Sequence, residues 1–240
     1  MRAKFMIAWV LAFGGGSVAH ASLIDVSFYN SGYPPTIQPT GAAVLGQAGD
    51  QWNWIDAGIT NGSPDLIDST GTLTGASLTF TADGGVRSLN LNTQPVPDLT
   101  NAYLFNNTGG TITVTLDGLT PSQNYLLVLY VASDDAFSGA RSLTGVVNGL
   151  TSVPFSATGD AQPSFINGEN VVELGVTSDA SGSLTISESD GLGNSSGEVD
   201  MNGLQLQSGT VPEPASLSLL CLGGAALLGW RARGRLATSR

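Results

Sequence analysis

The sequence predicts an all-β fold, with a single β-sandwich or jelly-roll domain at residues 22–210. Within that region apolar and polar residues alternate with a period of two, and the 3.6-residue period of an amphipathic helix is nearly absent. Turn-forming pairs such as Asp117-Gly118 and Asn148-Gly149 interrupt these runs at short, fairly even spacing. Many short strands separated by such turns are typical of a sandwich or a jelly roll.

Eight runs have the composition of strands. They lie at residues 22–30, 76–83, 86–91, 111–118, 124–132, 170–177, 183–190 and 199–207. The run NYLLVLYVA, at residues 124–132, is apolar at both odd and even positions, which predicts a central strand covered on both faces. In TITVTLDG, at residues 111–118, the Thr residues share one face, which we expect to be its solvated side.

Residues 32–68 are rich in Pro, Gly, Asn and Thr. This composition predicts a long irregular excursion between the first strand and the rest, and binding loops tend to lie in such segments. The chain shows no internal repeat of fixed period, so we expect one domain.

The first 21 residues have the layout of a secretory signal peptide. Arg2 and Lys4 precede the apolar run at residues 5–13, and the small residues of AHA, at residues 19–21, favour cleavage after Ala21. The apolar run is too short to span a membrane as a retained anchor. We therefore expect export through the Sec translocon, with a mature chain that begins at Ser22.

The predicted domain lacks three reactive residue types, because Lys4 and His20 lie in the signal peptide and Cys221 lies in the C-terminal apolar run. Their absence excludes a Ser-His-Asp or Cys-His nucleophilic site, a Cys/His zinc site and a disulfide framework. Residues 22–210 contain 18 acidic residues and two arginines, a net charge of −16. Such a surface repels the phosphates of nucleic acids and attracts divalent cations.

The C-terminus combines three features in a fixed order. Val211, Pro212, Glu213 and Pro214 precede 16 uncharged residues at 215–230, and a cluster of arginines follows: Arg231, Arg233 and Arg235. The apolar run is slightly shorter than the roughly 20 residues that span a bilayer comfortably, and the arginines mark a cytoplasmic end. An ordinary single-pass anchor is the alternative interpretation.

This layout, at residues 211–236, resembles the PEP-CTERM sorting signal of Gram-negative bacteria. The resemblance implies recognition by an exosortase and cleavage near the motif, after transient anchoring in the inner membrane through the C-terminal helix. The protein would then reach the cell surface or the exopolysaccharide matrix. The apolar segment would thus be an address that is removed, as in other removable C-terminal signals.

The central domain is similar to the galactose-binding-like jelly rolls. The residues that carry this resemblance are QWNW at 51–54, LIDSTGTLTGASLTF at 66–80, LDGLTPSQNYLLVLYVA at 116–132 and GEVDMNGLQLQ at 197–207. The resemblance implies that MNGLQLQ forms a last strand beside the first. It also implies carbohydrate, including exopolysaccharide, as a ligand class.

Trp52 and Trp54 are the two tryptophans that remain in the predicted domain after processing. Their spacing places both rings on one face of an extended segment. One hypothesis is an exposed platform on which a sugar ring stacks, and the other is that at least one ring closes the end of the sandwich.

The acidic stretch ESDGLGNSSGEVD, at residues 188–200, contains oxygen ligands of the type that calcium prefers, among them Asp190, Glu198 and Asp200. Its spacing does not fit an EF-hand loop, and a hairpin with solvated charges is the alternative. The resemblance to galactose-binding-like jelly rolls implies a structural calcium where the first and last strands meet, which makes Asp200 a candidate for that site and Asp25 a further one. No other cofactor is expected.

The sequence therefore favours an exported, non-catalytic protein of the cell surface or matrix, and we do not expect an enzyme. The alternative is a secreted carbohydrate-active enzyme, a glycoside hydrolase or lyase, that uses paired carboxylates. Asp134 and Asp135 are the most conspicuous pair, but adjacent residues on a strand point to opposite faces.

Overall fold

The computed structural model describes residues 22–32, 39–88, 99, 102–106, 109–132, 142–159, 164–190 and 199–209, all within one compact unit, Ala21–Val211. These residues form fourteen strands. They are β1 (Leu23–Tyr29), β2 (Asn53–Asp56), β3 (Gly62–Ser63), β4 (Ser77–Thr81), β5 (Gly85–Ser88), β6 (Ala102–Phe105), β7 (Thr111–Asp117), β8 (Asn124–Tyr130), β9 (Leu143–Asn148), β10 (Ser152–Ala157), β11 (Val171–Thr177), β12 (Leu184–Asp190), β13 (Asp200–Met201) and β14 (Gly203–Ser208).

The strands are arranged in two large sheets and one small one. The five-stranded sheet has the order β11-β8-β14-β1-β2, the six-stranded sheet β10-β9-β12-β7-β4-β3 and the three-stranded sheet β13-β6-β5. β14 pairs antiparallel with β1, so the last strand returns beside the first, as expected. β2 pairs parallel with β1 and forms the edge of that sheet.

The main hydrophobic core lies between the two large sheets. Along β7 the side chains of Ile112, Val114 and Leu116 are fully buried, whereas the intervening Thr side chains are more exposed, as the alternation predicts. Phe28 of β1 meets Phe80 of β4 edge to face, with ring centroids 5.3 Å apart. The apolar faces of the two sheets thus pack against each other, and the predicted all-β sandwich is confirmed.

A second, smaller cluster covers the outer face of the five-stranded sheet. Val128 and Tyr130 of β8 pack there with Trp52, Leu99 and Val171. Leu127 and Leu129 of the same strand point into the main core. The prediction that residues 124–132 contain a strand covered on both faces is therefore confirmed.

Residues 32–68 are less irregular than the sequence suggests, because they contain β2 and β3. Three further strands escaped the sequence pattern. β6 is a run of four buried residues without alternation, Gly145 interrupts β9, and β10 carries Pro154. Proline cannot donate a ladder hydrogen bond, and it is tolerated here because β10 lies at the edge of its sheet.

The strand directions define two ends of the sandwich. β1 runs from Leu23 to Tyr29, and β2 runs parallel to it and ends at Asp56. We call this the Tyr29 end. The opposite end, which we call the Ser22 end, is where the Ser208 backbone N–H donates to the Ser22 carbonyl at 2.9 Å. Both chain ends of the described domain therefore leave from the Ser22 end.

The acidic end of β12 lies at the Tyr29 end. β7 runs toward the Ser22 end, because the loop that follows Asp117 lines a cavity together with Ser22 and Ser208. β12 is antiparallel to β7, so it runs the other way and finishes at Asp190. In the part of the chain that the structure describes, no helix has the length and apolar character needed to cross a bilayer.

Candidate functional site

An aromatic pair lies on the outer face of the five-stranded sheet at the Tyr29 end. Trp54 of the edge strand β2 is in register with Ser27, so its side chain shares a face with Ser27 and Tyr29. The rings of Tyr29 and Trp54 stack with centroids 3.9 Å apart and an interplanar angle of 25°. Both residues are half-buried, so the stack is partly open to solvent. We call Tyr29 and Trp54 the edge aromatic pair.

Polar groups surround the edge aromatic pair. Burial and the neighbouring Asp56 carboxylate raise the pKa of Tyr29 above its ordinary value. Asp56 Oδ1 accepts hydrogen bonds from the backbone N–H groups of Gly58, at 3.1 Å, and Ser31, at 3.3 Å. Asn30 Oδ1 accepts from Gly32 N–H at 2.9 Å. These hydrogen bonds hold the turn after β2 and the chain after β1 in place, so ordered backbone flanks the edge aromatic pair.

Trp52 does not share this surface. Its side chain is 2% exposed, its Nε1–H donates to the Gly41 carbonyl at 2.9 Å, and its ring lies 6.4 Å from that of Tyr130. The hypothesis of an exposed platform made of both tryptophans does not fit this burial. Trp52 is a packing residue of the outer cluster, and Trp54 is the candidate that remains for a ligand contact.

A buried polar network lies beneath residues 39–52, next to Trp52. Gln205 of β14 donates from Nε2 to Asp25 Oδ1 at 2.6 Å and to the Leu45 carbonyl at 3.2 Å. Its Oε1 accepts from the Tyr130 hydroxyl at 2.5 Å and from Leu45 N–H at 2.9 Å. The Tyr130 hydroxyl in turn accepts from Val44 N–H at 2.9 Å. The network fastens this covering segment to three strands of the sheet.

Sequence reasoning missed the network because Asp25 and Gln205 alternate with apolar neighbours. Alternation places such residues on the solvated face of a strand. In the structure both are fully buried, since residues 39–52 cover that face. The one available signal was the apolar character of Val128 and Tyr130, which already indicated that the outer face of β8 is covered.

The structure describes two of the three carboxylates proposed for calcium. Asp200 is 1% exposed and Asp190 is half-buried, whereas Glu198 lies outside the described residues. Among the residues that the structure places, no group of three or more His, Cys, Asp or Glu side chains could hold a metal ion. Asp25, at the pairing of the first and last strands, belongs to the Gln205 network.

Glu188 changes the interpretation of the acidic stretch. It follows Leu184 and Ile186 on the inward face of β12 and is fully buried. Burial, and secondarily the negative charge of Asp200, raise its pKa well above the ordinary value. The alternative of a hairpin with solvated charges therefore does not apply to Glu188.

A cavity of about 320 Å³ opens at the Ser22 end. Its lining mixes apolar and hydroxyl side chains, among them Ile24, Leu73, Leu119, Thr120 and Tyr125. Asp68 lies on its wall, and although burial opposes the effect, hydrogen bonds from Thr70 and Thr72 lower the pKa of this carboxyl. The Asp68 carboxylate accepts hydrogen bonds from Thr70 and Thr72 of its own turn, so it is not available to react with a molecule in the cavity.

The remaining candidate residues are outside the described part of the chain. These are the Asp134-Asp135 pair and the sorting residues Val211, Pro212, Glu213, Pro214, Arg231, Arg233 and Arg235.

The C-terminal prediction is confirmed by comparison with known families. Residues 210–235 match the PEP-CTERM protein-sorting motif, within one residue of the segment expected from the sequence. The motif indicates an exported protein with a C-terminal sorting signal. No curated protein sequence matches this chain significantly.

Several solved structures are similar to the domain. CBM35 from Cellvibrio japonicus Abf62 is 16% identical, with 54% of this chain and 87% of that chain covered and a TM-score of 0.37. The exo-β-1,3-galactanase from Phanerochaete chrysosporium is 20% identical, with 59% and 32% covered and a TM-score of 0.33. The ANXUR1 extracellular domain from Arabidopsis thaliana is 12% identical, with 65% and 55% covered and a TM-score of 0.38.

Proposed function

We propose that the chain is a non-catalytic protein of the cell surface or exopolysaccharide matrix, sorted by an exosortase, whose β-sandwich binds carbohydrate at the edge aromatic pair. The observation that carries the ligand class is the partly open stack of Tyr29 and Trp54 at a sheet edge. The C–H face of a sugar ring is apolar and flat enough to pack on an aromatic ring, while its hydroxyls need hydrogen-bonding groups nearby.

The surroundings of the pair suit such a ligand. Asp56 provides a carboxylate beside Tyr29 and is already held in place by two backbone N–H donors. Because the two rings support each other, little side-chain freedom remains to be lost when a ligand binds, which favours affinity.

The same contacts support a binding role over a catalytic one. Asp56 is the carboxylate beside the pair, and its Oδ1 is engaged by Ser31 and Gly58 N–H groups rather than poised for proton transfer. The predicted mature domain contains no His, Cys or Lys that could act with it. We therefore expect no release of reducing sugars when the protein is incubated with polysaccharides that it binds.

The test is affinity electrophoresis of the mature protein in gels that contain neutral or acidic polysaccharides, galactans among them. The wild type should be retarded by at least one polysaccharide, and Trp54→Ala should weaken that binding about tenfold or more, the equivalent of about 1.4 kcal/mol. Leu73→Ala is the matched control, because Leu73 is an exposed apolar residue, 69% exposed, at the opposite end.

Thermal unfolding of each variant separates binding from folding. Trp54→Ala should retain nearly the wild-type midpoint, since its side chain is only half-buried. Retardation of Trp54→Ala equal to that of the wild type would remove the edge aromatic pair as the site. Absence of wild-type binding across the panel would remove carbohydrate as the ligand class.

A further inference from the structure

The carboxylate of Asp56 lies directly beside the edge aromatic pair. In the parallel pairing of β1 with β2, Asp56 is the register partner of Tyr29, and Trp54 is the register partner of Ser27. Ile55 belongs to the main core, so alternation along β2 turns Trp54 and Asp56 to the outer face, where the two rings stack. Neighbouring strands lie about 4.8 Å apart, so a molecule that packs on the rings is also close to this carboxylate.

Hydrogen bonds and burial hold the Asp56 carboxylate at this position. Its Oδ1 accepts from the backbone N–H groups of Ser31 and Gly58, and the residue is 7% exposed. Together with burial of the ring, its negative charge raises the pKa of the neighbouring Tyr29. A fixed charge that little water surrounds repels an anion more strongly than a mobile charge in open solvent does.

The net charge of the domain acts in the same direction as Asp56. Residues 22–210 contain 18 acidic residues and two arginines, a net charge of −16. At an ionic strength of about 0.15 M, exposed charges more than about 8 Å apart are largely screened from each other. Under these conditions a bound sugar responds mainly to the nearby Asp56, and the rest of the domain adds its repulsion when the salt concentration is low.

We propose that the edge aromatic pair binds uncharged polysaccharides in preference to those that carry carboxylate or sulfate groups, and that Asp56 determines this specificity. The proposal rests on the carbohydrate-binding function proposed above and adds the class of polysaccharide. A neutral sugar packs its C–H face on the Trp54 ring without electrostatic repulsion. A uronate or a sulfated sugar at the same place brings a like charge beside Asp56, which weakens its binding.

The experiment compares matched polymers that differ in charge alone. The probes are a β-galactan, a β-glucan and pullulan, each beside the same polymer with its primary hydroxyls oxidised to carboxylates. Interferometry with the immobilised mature protein, at an ionic strength of about 0.15 M, gives the affinity for each form. The wild type should bind the neutral form about tenfold or more tightly than the oxidised form. Asp56→Asn keeps the shape of the side chain and an acceptor oxygen, and it should narrow this ratio to about threefold or less.

Asp117→Asn is the matched control, because it removes the same charge from an exposed residue at the Ser22 end. It should leave the ratio of the two affinities unchanged at this ionic strength. Equal narrowing by both variants would assign the preference to the net charge of the domain and overturn the role of Asp56. A merely structural role for Asp56 would weaken the binding of both forms and leave the ratio unchanged, which also counts against the proposal.

The wild-type ratio tests the polysaccharide class even if Asp56→Asn fails to fold. If the wild type binds both forms equally and Trp54→Ala weakens both, the carbohydrate site stands and the preference for neutral polymers falls. Arg87 of β5 is the rival influence, because the Asn30 side-chain amide donates to the Val86 carbonyl at 3.4 Å and so brings that strand beside the chain after β1. Tighter binding of the oxidised form that Arg87→Gln abolishes would assign the specificity to Arg87 and overturn the proposal.

Discussion

Asp25 is a carboxylate that the five-stranded sheet and its covering segment hold away from water. Burial raises its pKa to about 7; the hydrogen bond from Gln205 opposes this change, and the charge of Asp50 adds to it. Because the folded state binds the proton more tightly than the unfolded chain, Asp25 stabilises the fold below about pH 4, and this stability is lost as the pH rises through about 7. Glu188 acts in the same direction.

We therefore predict that the free energy of unfolding decreases as the pH rises from 5 to 8. Asp25→Asn should flatten part of this slope, since an asparagine keeps the acceptor for Gln205 but does not ionise. Denaturant titrations of the wild type and of Asp25→Asn at each pH measure the effect. A wild-type stability that increases over this range would contradict the assignment.

Two other carboxylates change the stability in the opposite direction, because their pKa values are lowered in the folded state. Hydrogen bonds from the Ser183 backbone and the Ser181 side chain lower the pKa of Asp179, so its contribution is present above the unfolded pKa and is lost as the pH falls through the folded value. Asp68 behaves likewise. Asp68 and Asp179 therefore oppose Asp25 in the pH dependence of stability.

Single residues also show the limit of sequence reasoning. The spacing of Trp52 and Trp54 placed both rings on one face, but it could not reveal that residues 39–52 fold over one of them. Glu188 was visible as an acidic residue in an acidic stretch. It is buried because it lies on the same inward face of β12 as Leu184 and Ile186, and the alternation of residues along this strand does indicate that position.

At the scale of the elements, β9 packs against its neighbours at a position where only glycine fits. A Cβ atom at Gly145 would lie 2.3 Å from the Phe155 ring of β10 and 2.6 Å from the Ser187 carbonyl of β12. The backbone oxygen cannot move without disturbing the ladder between β9 and β12, which includes the Ser187↔Val146 pair. The same glycine weakened the strand signal of the sequence LTGVVN.

We predict that Gly145→Ala destabilises the fold by about 1–3 kcal/mol, the usual cost of forcing extra volume into a packed site. Gly175→Ala is the matched control, because Gly175 lies in β11 and a Cβ there meets nothing within 4 Å. Urea unfolding of the two variants should separate them clearly. Equal stabilities would show that the Phe155 ring gives way.

Most of the elements that the sequence predicted well alternate between apolar and polar residues, and β8, which is covered on both faces, is the exception. β1, β4, β7, β8, β11 and β12 lie within the expected runs, and β14 extends one residue beyond its run. The missed strands are short, carry Gly or Pro, or are buried on both faces as β6 is. Such strands depend on their neighbours for stability, so their own residues do not display a period.

On the scale of the whole molecule, the two ends of the sandwich have different roles in our proposals. Ser22 and Ser208 hydrogen-bond to each other, so the segment that leads to the sorting motif leaves from the Ser22 end. The edge aromatic pair lies at the Tyr29 end. A ligand at that end approaches the domain from the side opposite to its C-terminal exit.

The sorting proposal makes a prediction for the full chain. Replacing Pro212, Glu213 and Pro214 with alanine should block exosortase processing, so an uncleaved precursor should accumulate in the membrane fraction. Arg240→Ala is the matched control, because Arg240 lies beyond the matched residues 210–235. Immunoblots of membrane and extracellular fractions measure the distribution. Normal release of the alanine variant would contradict processing at this motif.

The sequence by itself determined the all-β class, most of the long strands and the C-terminal sorting motif, because alternation, turn residues and an ordered tripartite signal are local properties of a chain. Only the tertiary structure decided which polar residues are buried. Asp25 and Gln205 lose contact with water because residues 39–52, distant from Gln205 in sequence, cover them. The candidate carbohydrate site depends on the parallel pairing of β1 with β2, which brings Trp54 beside Tyr29, a contact that no local pattern specifies.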